Sequence, residues 1–425
     1  MQQYTLPYGR EKLMFSLPDT LDVTVIKPVS TQAAPDPMGM LRAALDNPVS
    51  DNTLSNILLQ NPAACQVAIA INDKTRPVPH KLMLPPLLAH LQALGVPAQA
   101  ITLIIATGTH TPATEFGTVV PPEILAHYHV ISHDCDADDL VHCGTTSRGT
   151  PVWINQHFAT ADVRIVVGNI EPHHFAGFSG GVKSAAIGLA GRATITANHS
   201  LLGDSHATLA RYEDNPLRQD IEDIGELADV HFAFNVVMNS HKQIVAAFAG
   251  QPRTVMQAAI PVVRQIYEVP IDKPFDLLIT SPGGYPKDIN LYQAHKAVTP
   301  TFHVTRKGGG LILLAACEEG IGHTRYAQWM QNHAFTSHED VLKAFAEEPF
   351  QLGPHKAFLF ARQASQLRGI WIVSDVAADE IKRLLLNPAT LPEALSAIIP
   401  SLPTGARVGI IPYANATIPV LRTEC

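Results

Sequence analysis

Residues Asp162–Ser184 read DVRIVVGNIEPHHFAGFSGGVKS: an apolar, β-branched run of strand length, two adjacent histidines, and a glycine-rich turn that ends in a lysine. Apolar side chains occupy both alternating positions of the first half, which predicts a strand buried on both faces, as in a parallel sheet. Glycines in the second half permit positive φ and close approach of the backbone to an anion such as phosphate. The lysine and imidazoles add reactive nitrogen beside that turn. A purely structural reading accounts for part of this, because Gly-rich strand-to-helix turns are common in α/β proteins and a histidine pair can simply hydrogen-bond there.

Seven further runs have the same character: QVAIAIND from Gln66, ITLIIATGTH from Ile101, HFAFNVVMN from His231, FDLLITSPGG from Phe275, GGLILLAAC from Gly309, GIWIVSD from Gly369 and RVGIIPYA from Arg407. Helical patterns lie between them at Lys81–Leu94, Arg253–Tyr267, His338–Ala346 and Ala378–Leu386. The alternation predicts an α/β chain of mainly parallel sheets with right-handed crossovers. With 425 residues, two domains are expected, since one core seldom grows to that size. The VPIDKP segment at 269–274 marks the boundary, giving an N-terminal α/β domain over 1–268 and a C-terminal one over 274–400, with 405–425 open to returning to the first.

The formal charge of −8 leaves no excess of Lys and Arg to neutralise a polyanion, so nucleic acid and a polybasic membrane surface are not expected partners, and a small polar substrate is. Five cysteines, Cys65, Cys135, Cys143, Cys317 and Cys425, are odd in number and without a C-x-x-C pair, which predicts reduced thiols. The N-terminus lacks the pattern of a secretory signal and no apolar stretch approaches a membrane span, so a cytoplasmic location is expected.

The residues with chemical potential follow strand ends, where ligands bind in open α/β sheets. They are Asp73, Lys74, Thr75 and Arg76 in DKTRP, His110 in TGTH, His173, Gly180, Gly181 and Lys183 in the opening stretch, and Tyr292, Gln293 and Lys296 in NLYQAHK. Arg76 offers a planar fork for a carboxylate, and the bland alternative is a surface ion pair. His110 has the alternative of capping a following helix. The GFSGGVKS segment resembles a phosphate-binding G-x-x-x-x-G-K-[ST] loop, except that Val182 stands where the last glycine belongs; a P-loop-like phosphotransferase is therefore an alternative. His199 in TITANHS has no companions at conventional zinc spacing, and His127, His129, His133 and His157 are read as structural or surface residues.

In order along the chain, YGREKL, DKTRP, TGTH, EPHHFAGFSGGVKS, NHS at 198–200 and GGYPKDINLYQAHKA together resemble the nickel-dependent lactate racemase family. That resemblance implies two α/β domains with the active site in the cleft between them. It also implies a nickel-pincer nucleotide, the Ni(II) complex of a pyridinium-3,5-bisthiocarboxylic acid mononucleotide, made by separate cofactor-building enzymes that are transient partners. On the matching positions, Lys183 tethers the cofactor and His199 is the protein ligand of nickel in a planar site suited to Ni(II). Asp73, Lys74, Thr75 and Arg76 bind the nucleotide, Gly180 and Gly181 admit it closely, and Arg76, Tyr292, Gln293 and Lys296 bind substrate. His110 and His173 are the implied acid/base pair for the two enantiomers of a 2-hydroxy acid, whose C2 hydrogen passes transiently to the cofactor as hydride; His174 is expected to point elsewhere. Two departures widen the expected substrate beyond lactate: Thr111 follows TGTH where an arginine is common, and none of Trp153, Trp329 and Trp371 matches the aromatic cover of the lactate enzyme, the local sequence being GPHKAF at 353–358. A catalytically silent binding protein on the same fold is the remaining alternative.

Overall fold

A computed structural model describes residues 1–61 and 65–422. The chain divides into two compact domains, one of residues 30–266 and the other of 1–29 with 267–425. Cys425 lies outside the described residues, and Cys65, Cys135, Cys143 and Cys317 are free thiols, as expected.

The 30–266 domain is built on six strands in the order Ile244–Gly250, Phe232–Met238, Val163–Asn169, Val67–Asn72, Ile101–Ala106 and His129–Ser132. All neighbours are parallel except the first pair, which is an antiparallel hairpin. Alternate residues of the central strands, Ile69, Ile71, Leu103, Ile105, Ile165 and Val167, share one buried cluster with Met83, Leu84, Leu87, Leu88 and Leu91 of the helix His80–Ala93. Those helix positions recur at three to four residues, so one face of the helix covers the sheet. The chain leaves Val67–Asn72 toward Ile101–Ala106 on one side and later returns on the other side with Val163–Asn169. The carboxyl ends of Val67–Asn72 and Val163–Asn169 therefore flank the point where strand order reverses, the place at which α/β sheets bind ligands.

In the other domain six parallel strands run in the order Asn387–Pro388, Gly369–Val373, Thr305–Leu314, Phe275–Thr280, Arg407–Ile411 and Asp22–Val25. Leu277 and Ile279 belong to one core cluster and Leu278 to another, so both sheet faces are buried, as the unbroken apolar runs predict. All eight predicted runs are strands. The expected limit of the first domain needs correction. Asp22–Val25 pairs with Arg407–Ile411, and the hairpin of Gln2–Tyr8 and Glu11–Leu17 buries Leu6, Phe15 and Leu17 against Leu277 and Ile312, which assigns 1–29 to the C-terminal domain. The segment after 405 stays there too, through that strand and through Ile418–Leu421, which pairs with Glu268–Ile271.

Candidate active site

In the 30–266 domain the switch point gathers most of the predicted residues. Asp73, just past Val67–Asn72, is buried, and its Oδ1 accepts from the Thr75 hydroxyl at 2.7 Å and the Thr75 N–H at 3.2 Å. Its Oδ2 lies 2.6 Å from Nδ1 of His110, which follows the neighbouring strand Ile101–Ala106. Burial raises the Asp73 carboxyl, but the hydrogen bonds of His110 and Thr75, with the charges of His110 and Arg76, outweigh it and hold the group below its ordinary value. A carboxylate can only accept, so Nδ1 of His110 carries a proton, and in the neutral ring Nε2 keeps its lone pair. Lys74 and Arg76 are exposed beside this pair.

His173 is held with the opposite polarity. It sits in a two-residue hairpin with Gly177–Phe178, and its Nδ1 receives the Ala176 N–H at 3.2 Å, which places the proton of a neutral ring on Nε2. Gly177 is required there: at φ +69°, a Cβ would fall 1.6 Å from the Arg211 carbonyl oxygen. His174 does not point away as expected. Its ring stacks on His173 at 4.7 Å and 23°, and Phe175 meets both rings edge-on before meeting His199 at 5.2 Å.

His199 lies in the helix Arg192–Ser200. Asn198 donates from Nδ2 to the Leu217 carbonyl and to Asp220, so its Oδ1 is fixed facing Nδ1 of His199 at 3.1 Å. The imidazole therefore donates from Nδ1, and in the neutral ring Nε2 keeps its lone pair. Burial, then the charge of Lys183, pushes its pKa down to about 3, so the ring is neutral, as metal ligation needs. The carrier of Lys183 is equally fixed. Buried Arg218 donates to the carbonyls of Phe178 and Gly180 at 2.9 and 3.1 Å and pairs with Glu222, while Asn235 accepts the Gly181 N–H at 2.7 Å. A Cβ on Gly180 would strike Ile170 at 2.4 Å, and one on Gly181 would strike Met256 at 2.7 Å. Internal packing and positive φ thus account for both glycines. At the strand end beside them, Asn169 Nδ2 is a buried donor with no partner among the described residues, suited to an oxygen-rich ligand. A lysine on a fixed turn, a neutral imidazole nitrogen and a spare donor fit the nucleotide cofactor that the sequence motifs imply.

Tyr292, Gln293 and Lys296 belong to the other domain, on the turns Leu291–Ala294 and His295–Ala297, with the Asn290 side chain accepting the Gln293 N–H at 3.0 Å. Tyr292 stacks on His323 at 4.9 Å and meets His355 edge-on at 5.9 Å. Sequence reasoning missed Asn169, Asn198 and Arg218, and it missed that Asp73 orients His110. It also missed His80, which is buried with Nε2 lacking a partner among the described residues. Of the histidines read as structural, His133 is buried and tied to the Ala190 carbonyl. In the group Asp134, Cys135 and Asp136, the Cys135 and Asp136 side chains are engaged by Arg192.

Family models match both halves of the chain: the lactate racemase N-terminal domain over residues 8–210 and the lactate racemase C-terminal domain over 271–418. Lactate racemase of Thermoanaerobacterium thermosaccharolyticum is 30% identical over 429 residues, covering 98% of this chain and 99% of that protein. The chain belongs to the lactate racemase family. Lactate racemase of Lactiplantibacillus plantarum is 33% identical over 285 residues, 66% of each chain. The structure of the T. thermosaccharolyticum lactate racemase apoprotein superposes with a TM-score of 0.89 at 29% identity, covering 99% of this chain and 100% of that one. A Thermotoga maritima protein shares the fold at a TM-score of 0.65 and 16% identity, covering 91% of this chain and 98% of its own.

Proposed function

We propose that the protein is a racemase or epimerase of a 2-hydroxy acid that works with a nickel-pincer nucleotide tethered to Lys183 and ligated through His199 Nε2. When bound, that group would supply a hydride acceptor, which spares the reaction from removing the weakly acidic C2 hydrogen as a proton. The observation that supports the reading best is the opposed polarity of the two histidines. His110 presents a lone pair at Nε2, and His173 presents an N–H. A substrate hydroxyl between them gives its proton to His110, while His173 donates to the same oxygen as it becomes a keto oxygen. Such base assistance is worth roughly 10² to 10⁴ in rate. For the second enantiomer His173 serves as the base, which requires the proton on its Nδ1 and release of the Ala176 contact.

Arg76 and Lys296 are assigned to the substrate carboxylate, Gln293 and Tyr292 to its remaining polar contacts, and Asp73, Lys74, Thr75, Arg76 and Asn169 to the nucleotide side. Gly180 and Gly181 set the turn that carries Lys183. A phosphotransferase reading gains nothing from the geometry, because the Gly181 N–H is spent on Asn235. Lactate is one candidate in a wider class of 2-hydroxy acids, and the enzyme is expected in the cytoplasm beside the enzymes that build the cofactor. Peptide mapping and nickel analysis of protein from a cofactor-competent host test the reading. A modified Lys183 with one nickel per chain is expected, and unmodified Lys183 in active enzyme would remove the tether.

A further inference from the structure

The C-terminal domain buries a lysine among basic and aromatic neighbours. Lys356, in the helix Pro354–Ala364, is 1% exposed. Near it stand His295, Lys296 and Tyr292 from one segment and His323 from another, while His355 and Arg362 of its own helix act on His295 and Arg325 acts on His323. The charge that acts on Lys356 is the like charge of Lys296.

Hydrogen bonds give this cluster a direction. Gln363 donates from Nε2 to Thr299 Oγ1 at 3.2 Å, which turns its Oε1 toward His295 Nε2 at 3.0 Å. That oxygen only accepts, so His295 carries its proton on Nε2 and offers the Nδ1 lone pair to Lys356 Nζ at 3.4 Å. Lys356 Nζ also lies 4.9 Å from the centre of the Tyr292 ring. Gln363, His295 and Lys356 are each satisfied as uncharged groups, whereas a buried ammonium requires an anion that none of the neighbours named here supplies.

We propose that Lys356 is an uncharged amine in the free protein, positions the Tyr292–Lys296 segment through His295, and takes up a proton when a carboxylate seats beside Lys296. The inference rests on the reading of Lys296 as a carboxylate-binding residue. Burial and then the Lys296 charge push Lys356 well below the ordinary lysine range, and burial does the same to His295. The site then meets an incoming anion with one proton fewer than its side chains suggest, and binding restores it.

Two measurements on the full chain test this. In urea unfolding, an uncharged buried lysine must gain a proton on unfolding, so between about pH 7 and 8 it lowers the unfolding constant roughly tenfold. Wild type should show that extra tenfold relative to Lys356→Met, with Lys356→Gln as the substitute if the first variant does not fold. Equal pH dependence would overturn the uncharged state. In calorimetry of pyruvate binding, run in Pipes and in Tris, wild type should take up about one proton per site, and Lys356→Met should bind without uptake. Binding with no uptake by wild type would overturn the linkage. Failure of pyruvate, lactate and malate all to bind would defeat the functional reading and the carboxylate seat together, while the unfolding comparison would still decide the state of Lys356.

Discussion

Replacing Asp73 by asparagine exchanges one oxygen for an NH₂ group, yet the structure predicts a large loss of activity. The Thr75 N–H can only donate, and with the Thr75 hydroxyl it holds one oxygen of residue 73 at 3.2 and 2.7 Å. In the Asp73→Asn variant that place goes to the amide oxygen, which turns the NH₂ toward His110. The His110 Nδ1, which in the wild type lies 2.6 Å from a carboxylate oxygen, would have to accept instead of donate. Its proton then moves to Nε2, and the base is lost although the ring remains. A positioned base contributes roughly 10² to 10⁴, so kcat should fall by that factor, about 2.7–5.4 kcal/mol in barrier height. Lys183 modification and nickel content should hold. Chiral assay of cofactor-loaded Asp73→Asn, with peptide mapping as the control, checks this. Activity within about threefold of wild type with the cofactor in place, against the 10²-fold minimum expected of a lost base, would refute the tautomer argument.

Three further outcomes follow from the geometry. His80 is buried with its pKa pushed down to about 4, so the unfolded chain binds a proton that the folded chain refuses; stability is complete above about pH 6.5 and declines by roughly 1.4 kcal/mol per unit between 6.5 and 4. Urea titrations should show His80→Leu without that share of the acid slope. Arg218→Met leaves Glu222 buried and the Phe178 and Gly180 carbonyls without their donor, so chemical denaturation should register a loss of about 3–5 kcal/mol. Asn198→Ala frees the Nδ1 side of His199, and competition with a chelator should show nickel retention falling roughly 10- to 100-fold.

Elements buried on both faces were legible in the sequence, because a parallel strand such as Val163–Asn169 must be apolar on both of its faces. The hairpin Gln2–Leu17 was not, since its outer face carries Lys12, an exposed Met14 and Ser16 and no long apolar run marks it. Nor could local patterning show that Asp22–Val25 pairs with a strand nearly four hundred residues later. In the site, DKTRP and TGTH marked Asp73 and His110 separately. Their hydrogen bond depends on two adjacent strands ending at the same level, which is a property of the sheet and not of either motif. The internal packing reason for Gly180 and Gly181 was hidden likewise: Ile170, Met256 and Arg218, which a Cβ there would meet, lie outside the turn itself.

The central claim is that this chain inverts C2 of a 2-hydroxy acid by moving its hydrogen as hydride. The direct measurement follows C2-deuterated single enantiomers of lactate, malate, longer aliphatic, aromatic and sugar-derived 2-hydroxy acids, incubated in ordinary water with the cofactor-loaded enzyme. Chiral separation and mass analysis should find the opposite enantiomer of at least one of them with its deuterium retained. Inversion with the deuterium washed out into solvent, or no inversion of any member by enzyme whose Lys183 is modified, would contradict the account.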